Sequence, residues 1–213
     1  MIKKFFIVFC LLVVSKVGFA QNTNQTMTKV VVRYISTSYP ANSFAAQPVT
    51  HYRSGEKYGR TEEAVDSVMG IHGLIIVNEP DSWMINLISR TGVHERDGGP
   101  TFVCHDPIVG PEGRTDADLN AFTHSLISKF EFGKEMEFLK NHQAKKLSNH
   151  YELTIEGYKI EMFTKGETQI PYQLKIFKGE SQLYLQYDEY KTDLPFDPLL
   201  FVPPTDVKIS EQN

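Results

Sequence analysis

The densest set of side chains able to do chemistry lies between Gly92 and Pro107. His94, Glu95, Asp97, Cys104, His105 and Asp106 fall within thirteen positions, and every one is a metal-ligand type. Gly98-Gly99-Pro100 in the middle reads as a turn, and a hairpin folded there would set His94 opposite His105 with Asp106 beside them. Three such groups and an open position for water would make a hydrolytic metal site. The spacing argues for something plainer. No His-x-x-x-His or Cys-x-x-Cys pair occurs, and alternate residues of a strand point to opposite faces. A polar structural hairpin is therefore the first reading. A metal-dependent hydrolase built on His94, His105 and Asp106 is the alternative.

Other enzymatic signatures are missing. The sequence has no Gly-x-Ser-x-Gly elbow, phosphate-cradling Gly-Lys-Ser/Thr loop or dinucleotide fingerprint. His51, His72, His124, His142 and His150 are scattered singly, as structural histidines are. The expectation is a binding protein rather than an enzyme, with no cofactor.

The residues that must position any site begin after an apparent export signal. Lys3-Lys4 precedes an apolar run from Phe5 to Val14, and Gly18-Phe19-Ala20 supplies small residues before Gln21. That is the layout of a cleaved signal peptide over residues 1–20, and the run is too short to span a bilayer. The expectation is one soluble domain over 21–213, periplasmic or secreted. Three lysines and no acid lie in 1–20, so removing them moves the net charge from −4 to about −7. Such a balance excludes a general nucleic-acid binder, which needs a basic footprint. Cys104 then stands alone, and its Phe102-Val103 approach suggests a buried, inert thiol.

Most of the chain alternates with a period of two. Val30, Val32 and Tyr34 form one apolar phase, and so do Trp83, Ile85 and Leu87. The same holds for Tyr151, Leu153 and Ile155, for Tyr158, Ile160 and Met162, for Tyr172, Leu174 and Ile176, and for Leu183, Leu185 and Tyr187. The positions between are mostly polar, the mark of antiparallel strands with one buried face. Short links such as Glu156-Gly157 and Lys178-Gly179-Glu180 join them into hairpins. Val49–Glu62 and Ile71–Val77 are also strand-like, for eight or nine strands in all. One segment differs: Thr115 can cap a helix carrying Leu119, Phe122, Leu126 and Phe130, with Gly133 at its end. Residues 134–142 fit a short helix or a strand.

One or two helices are too few to cover so large a sheet. The sheet must curl on itself, or leave part of a concave apolar face for a guest. The fold expected is α+β: a strongly curved antiparallel sheet, an unclosed β-barrel, with one or two helices on the concave face. Strand phase and the apolar tail nominate Trp83, Ile85, Leu87, Tyr172, Leu174, Leu185 and Phe201 as the ligand wall.

The tail, Leu194-Pro195-Phe196-Asp197-Pro198-Leu199-Leu200-Phe201-Val202-Pro203-Pro204, is too proline-rich for a central strand and too apolar for a solvated end. It should lie extended along the domain. With Ile170-Pro171-Tyr172-Gln173-Leu174-Lys175, Tyr187-Asp188-Glu189-Tyr190 and Val207, it resembles the outer-membrane lipoprotein carrier superfamily, the LolA-like proteins. The resemblance covers mainly residues 145–209. It implies an exported carrier whose concave face receives a lipid, an acyl chain or a lipoprotein, with a transient envelope-membrane partner. A non-enzymatic envelope assembly partner is a further alternative.

Overall fold

The computed structural model describes residues 25–35, 43–113 and 115–211, and the expected export signal lies outside them. Twelve strands form one open sheet. They are β1 (Thr26–Tyr34), β2 (Val49–Ser54), β3 (Tyr58–Glu62), β4 (Gly73–Asn78), β5 (Asp81–Asn86) and β6 (Thr91–Arg96), then β7 (Lys145–Lys146), β8 (His150–Ile155), β9 (Tyr158–Lys165), β10 (Ile170–Lys178), β11 (Ser181–Pro195) and β12 (Lys208–Glu211). Their order is β12-β6-β5-β4-β3-β2-β1-β11-β10-β9-β8-β7. Among the described residues only β12, laid beside β6, pairs in parallel.

All six alternating segments are strands. β2 through β6 and β7 through β11 are two meanders of hairpins, joined where β1 pairs with both β2 and β11. At Glu156-Gly157 both residues have positive φ, 49° and 80°. That backbone matches the twist of the strands it joins, and glycine adopts it without strain.

Between β6 and β7 the chain leaves the sheet and packs against one face of it. Helix α1 (Asp116–Thr123) starts with a complete capping box, Thr115 and Asp118 each bonding the other's backbone N–H. The single helix expected to reach Phe130 stops at Thr123. The side chains of Ser125 and Ser128 donate to the carbonyls of Phe122 and Ser125, and such short-range bonds compete with helical ones. The Glu156 carboxylate then accepts from the N–H groups of Leu126 and Ile127, both at 3.0 Å. That starts a separate 3-10 turn at Ile127–Lys129. The ambiguous segment is helix α2 (Glu135–Asn141).

This layer fills the concave, inner face over β1 and β8–β11. Ile127, Phe130, Phe138 and Leu139 are buried against Val30, Val32, Ile160, Met162, Leu174 and Leu185. A second core lies on the opposite, outer face of β2–β6. There the tail folds back as a 3-10 turn (Pro198–Phe201) and then β12, burying Phe201 against Leu74, Ile76 and Ile85. Phe196 stacks on Phe201 at 5.5 Å and Tyr58 tilts against both. The two cores alternate along single strands. In β2, His51 and Arg53 face the helical layer, while Tyr52 between them joins the tail core.

The two layers are also keyed through a glycine. The side chain of Cys104 occupies the place of a side chain at Gly59, where an added Cβ would come within 2.3 Å of Sγ. Gly59→Ala is expected to cost about 1–3 kcal/mol through overpacking. Cys104→Gly should recover part of that loss in the double variant, as read by urea denaturation of all four proteins.

Candidate functional site

The sequence cluster at 92–107 is divided between two places. β6 pairs with β5 and β12, so residues 101–107 do not return along it and the expected hairpin is absent. His94 sits on the outer face, stacked on Trp83 at 5.1 Å. It bonds Glu211 at 2.7 Å and Asp81 at 3.0 Å, and the Glu211 carboxylate, with Asp81, holds its imidazole above the usual value. His105 and Asp106 lie on the inner side, where the Cys104 N–H donates to the Glu56 carbonyl at 2.7 Å. Among the described residues no three His, Cys, Asp or Glu side chains converge on a point suited to a metal ion.

The inner side instead holds a polar hub. Arg53 and Glu131, both almost fully buried, pair at 2.9 Å. Arg53 also donates to the Cys104 carbonyl at 2.6 Å. The second oxygen of Glu131 takes His105 Nδ1 at 2.7 Å, and Lys134 stands 3.6 Å from the first. Burial alone would raise the Glu131 carboxyl. The His105 hydrogen bond and the Arg53 and Lys134 charges outweigh it and hold the group below its usual range. Beside this pair, Asp106 accepts from His51 Nδ1 at 2.7 Å, and His51 lies flat on Phe132 at 3.9 Å. Thr61 reaches the same Asp106 oxygen at 3.4 Å. Burial, and then the Asp106 charge, pushes the Tyr34 phenol up. Burial also pushes the Cys104 thiol up to about 12, so it stays protonated and unreactive at neutral pH.

A cleft of about 340 Å³ opens beside the hub, lined among others by Glu56, His105, Lys129, Lys134, Glu137 and His142. Its wall mixes both signs of charge. None of the seven expected ligand-wall residues lines it.

Those seven fall into three groups. Trp83, Ile85, Leu87 and Phe201 belong to the outer, tail-covered core. Leu174 and Leu185 do face inward, but they are fully buried beneath the helical layer. Tyr172 has changed face. A register shift between Pro171 and Gln173 puts Pro171 in the buried place, and Tyr172 packs on Phe163 under Lys165.

No family model matches the sequence, and no curated protein matches it. A solved structure described as an uncharacterized conserved protein from Thermus thermophilus is similar over 87% of this chain and 90% of that one, at 10% identity and a TM-score of 0.44.

The exposed part of the inner face was hidden from the alternation. His51, Thr61, Ile75, Met84 and Val93 are directly opposite one another across β2 to β6, and opposed residues share a face. The helical layer covers the His51 end of this row. Farther along, Ile75 is 46% exposed and Met84 55%. A second apolar surface lies at the end of β3 and β4, where Val65, Val68 and Met69 project from the connecting loop and Val68 is 91% exposed. Met84 and Ile75 could have been found as the second apolar phase of strands apolar on both faces; Val68-Met69 could have been found as apolar residues between turn signals.

Proposed function

We propose that the protein binds the apolar part of a lipid, an acyl chain or a lipoprotein on the uncovered half of its inner face, as an exported carrier-like protein. The observation that carries this reading is the exposed Ile75–Met84 pair, on the same face that the helical layer fills elsewhere. Apolar side chains adjoining on an open sheet face mark a binding surface more often than scattered ones do. Support also comes from the fold, an open curved sheet half-covered by helices, and from the export-signal layout of residues 1–20. No helix among the described residues is long and apolar enough to cross a membrane. The projecting Val68-Met69 loop suits transient contact with a bilayer or an envelope partner.

The test is native mass spectrometry of protein purified from a periplasm, with organic extraction, followed by titration with an uncharged phenylnaphthylamine fluorophore. A co-purifying lipid and saturable fluorophore binding are expected. Ile75→Asp with Met84→Asp should weaken binding at least about tenfold, roughly 1.4 kcal/mol, while thermal stability holds because both side chains are exposed. Absence of saturable binding by the parent protein, or unchanged affinity in the variant, overturns the reading.

A further inference from the structure

The exposed apolar row has a one-sided charge border. On the inner face of β3–β6, Glu95 lies two residues beyond Val93 and is exposed, and the exposed Glu63 lies over Gly73, which is in phase with Ile75. At the covered end the row meets Thr61, His51 and the partly exposed Asp106 carboxylate. Among the described residues, His51 and Thr61 bond Asp106 at Oδ2.

The cations of the same strands are turned the other way. Arg60 bonds the Leu200 carbonyl of the tail and pairs with Glu62. His94 and Arg96 pair with Asp81 on the outer face. The inward cation, Arg53, is buried and neutralised by Glu131. Lys129 and Lys134 line the separate mixed-charge cleft, and Lys134 also faces Glu131. The open half of the inner face is therefore apolar along its middle and acidic at its margins.

We propose that the occupant of this face is an amphiphile with a cationic head group, an inference that rests on the apolar-binding reading above. From Thr61 to Val93 the row crosses three strand spacings, roughly 14 Å at about 4.8 Å each. A single alkyl chain laid across Ile75 and Met84 thus brings its head to the carboxylates at either end. A cationic head gains the attraction of Asp106 or Glu95, which an anionic head would meet as repulsion across a low-dielectric sheet surface. An uncharged head has neither effect and measures the apolar contribution alone.

The experiment is calorimetric titration of the full chain at pH 7 and low salt with dodecylammonium, dodecanoate and uncharged dodecyl maltoside, each kept below micelle formation. Dodecylammonium is expected to bind at least tenfold tighter than dodecanoate, with dodecyl maltoside between. The gap should narrow as salt is raised, because exposed charges are screened. Glu63→Gln with Glu95→Gln, both at exposed positions, should cut the ammonium-to-carboxylate preference at least threefold while leaving maltoside affinity in place. Asp106→Asn added to these should remove the remainder. Equal or tighter binding of dodecanoate overturns the head-group inference alone, as does a preference that survives the triple variant. Binding of none of the three overturns the apolar-binding reading with it.

Discussion

Arg53→Met is expected to destabilise the protein by about 3–5 kcal/mol, because it strands a buried carboxylate. Glu131 is nearly inaccessible, and its carboxyl is held below the usual range by the His105 hydrogen bond at 2.7 Å and the Arg53 charge at 2.9 Å. Without the guanidinium, Lys134 at 3.6 Å and His105 remain, and neither replaces a charge buried against the carboxylate. The loss would take a large share of the ~5–15 kcal/mol that folds an ordinary domain. Replacing both partners, Arg53→Met with Glu131→Leu, removes the stranded charge and should recover most of the stability. A urea-denaturation cycle on the four proteins separates the coupling of the pair from the packing of each side chain. A double-variant loss equal to the sum of the two single losses would mean that each side chain contributes through packing alone. The hub ties β2 to the segment leading into α2, so the cycle also measures how firmly the helical layer is seated.

The strands were legible because their signal is local. Period-two alternation needs only neighbouring residues, and it located each of the six segments read from it. What alternation leaves open is which side of the sheet receives the rest of the chain. Leu74 and Ile76 alternate with Ile75 and Val77, and Trp83 and Ile85 with Met84. Both phases of β4 and β5 are apolar. Their assignment to faces depends on a tail more than a hundred residues away, which pairs in parallel with β6. The same long-range step placed Trp83, Ile85, Leu87 and Phe201 of the expected ligand wall in the outer core. Tyr172 was lost to a local irregularity at Pro171, a residue with no N–H to give to a regular ladder. The 92–107 cluster failed as a hairpin for a related reason. Its second half is held by Glu56, Arg53 and Glu131, contacts that spacing does not encode.

A second large effect is expected from Glu135, and it is a dependence on pH. The carboxyl stands at the first position of α2, fully buried in the inner core. Tyr187 and Tyr190 of β11 donate to its two oxygens at 3.2 and 2.9 Å. Burial pushes its pKa from 4.5 up to about 7, against the pull of backbone N–H groups and the two phenols. Folding therefore favours the protonated form. The stability this group contributes is fully present below its unfolded pKa near 4.5 and is lost as pH rises toward and through 7. The linked loss is on the order of 3 kcal/mol. Carboxylates such as Glu131, held low in the folded protein, act with the opposite sign, so the difference between two proteins is the informative quantity. Glu135→Gln keeps the shape and the acceptor for one tyrosine but cannot ionise. Its stability relative to the parent should rise between pH 5 and 8, measured by denaturant midpoints at each pH. A constant difference over that range would show that Glu135 keeps one charge state in the folded and unfolded chains alike. Because the carboxyl joins α2 to β11 across the filled half of the inner face, the protection of the α2 amides relative to their intrinsic, base-catalysed exchange should fall over the same interval in the parent and not in the variant.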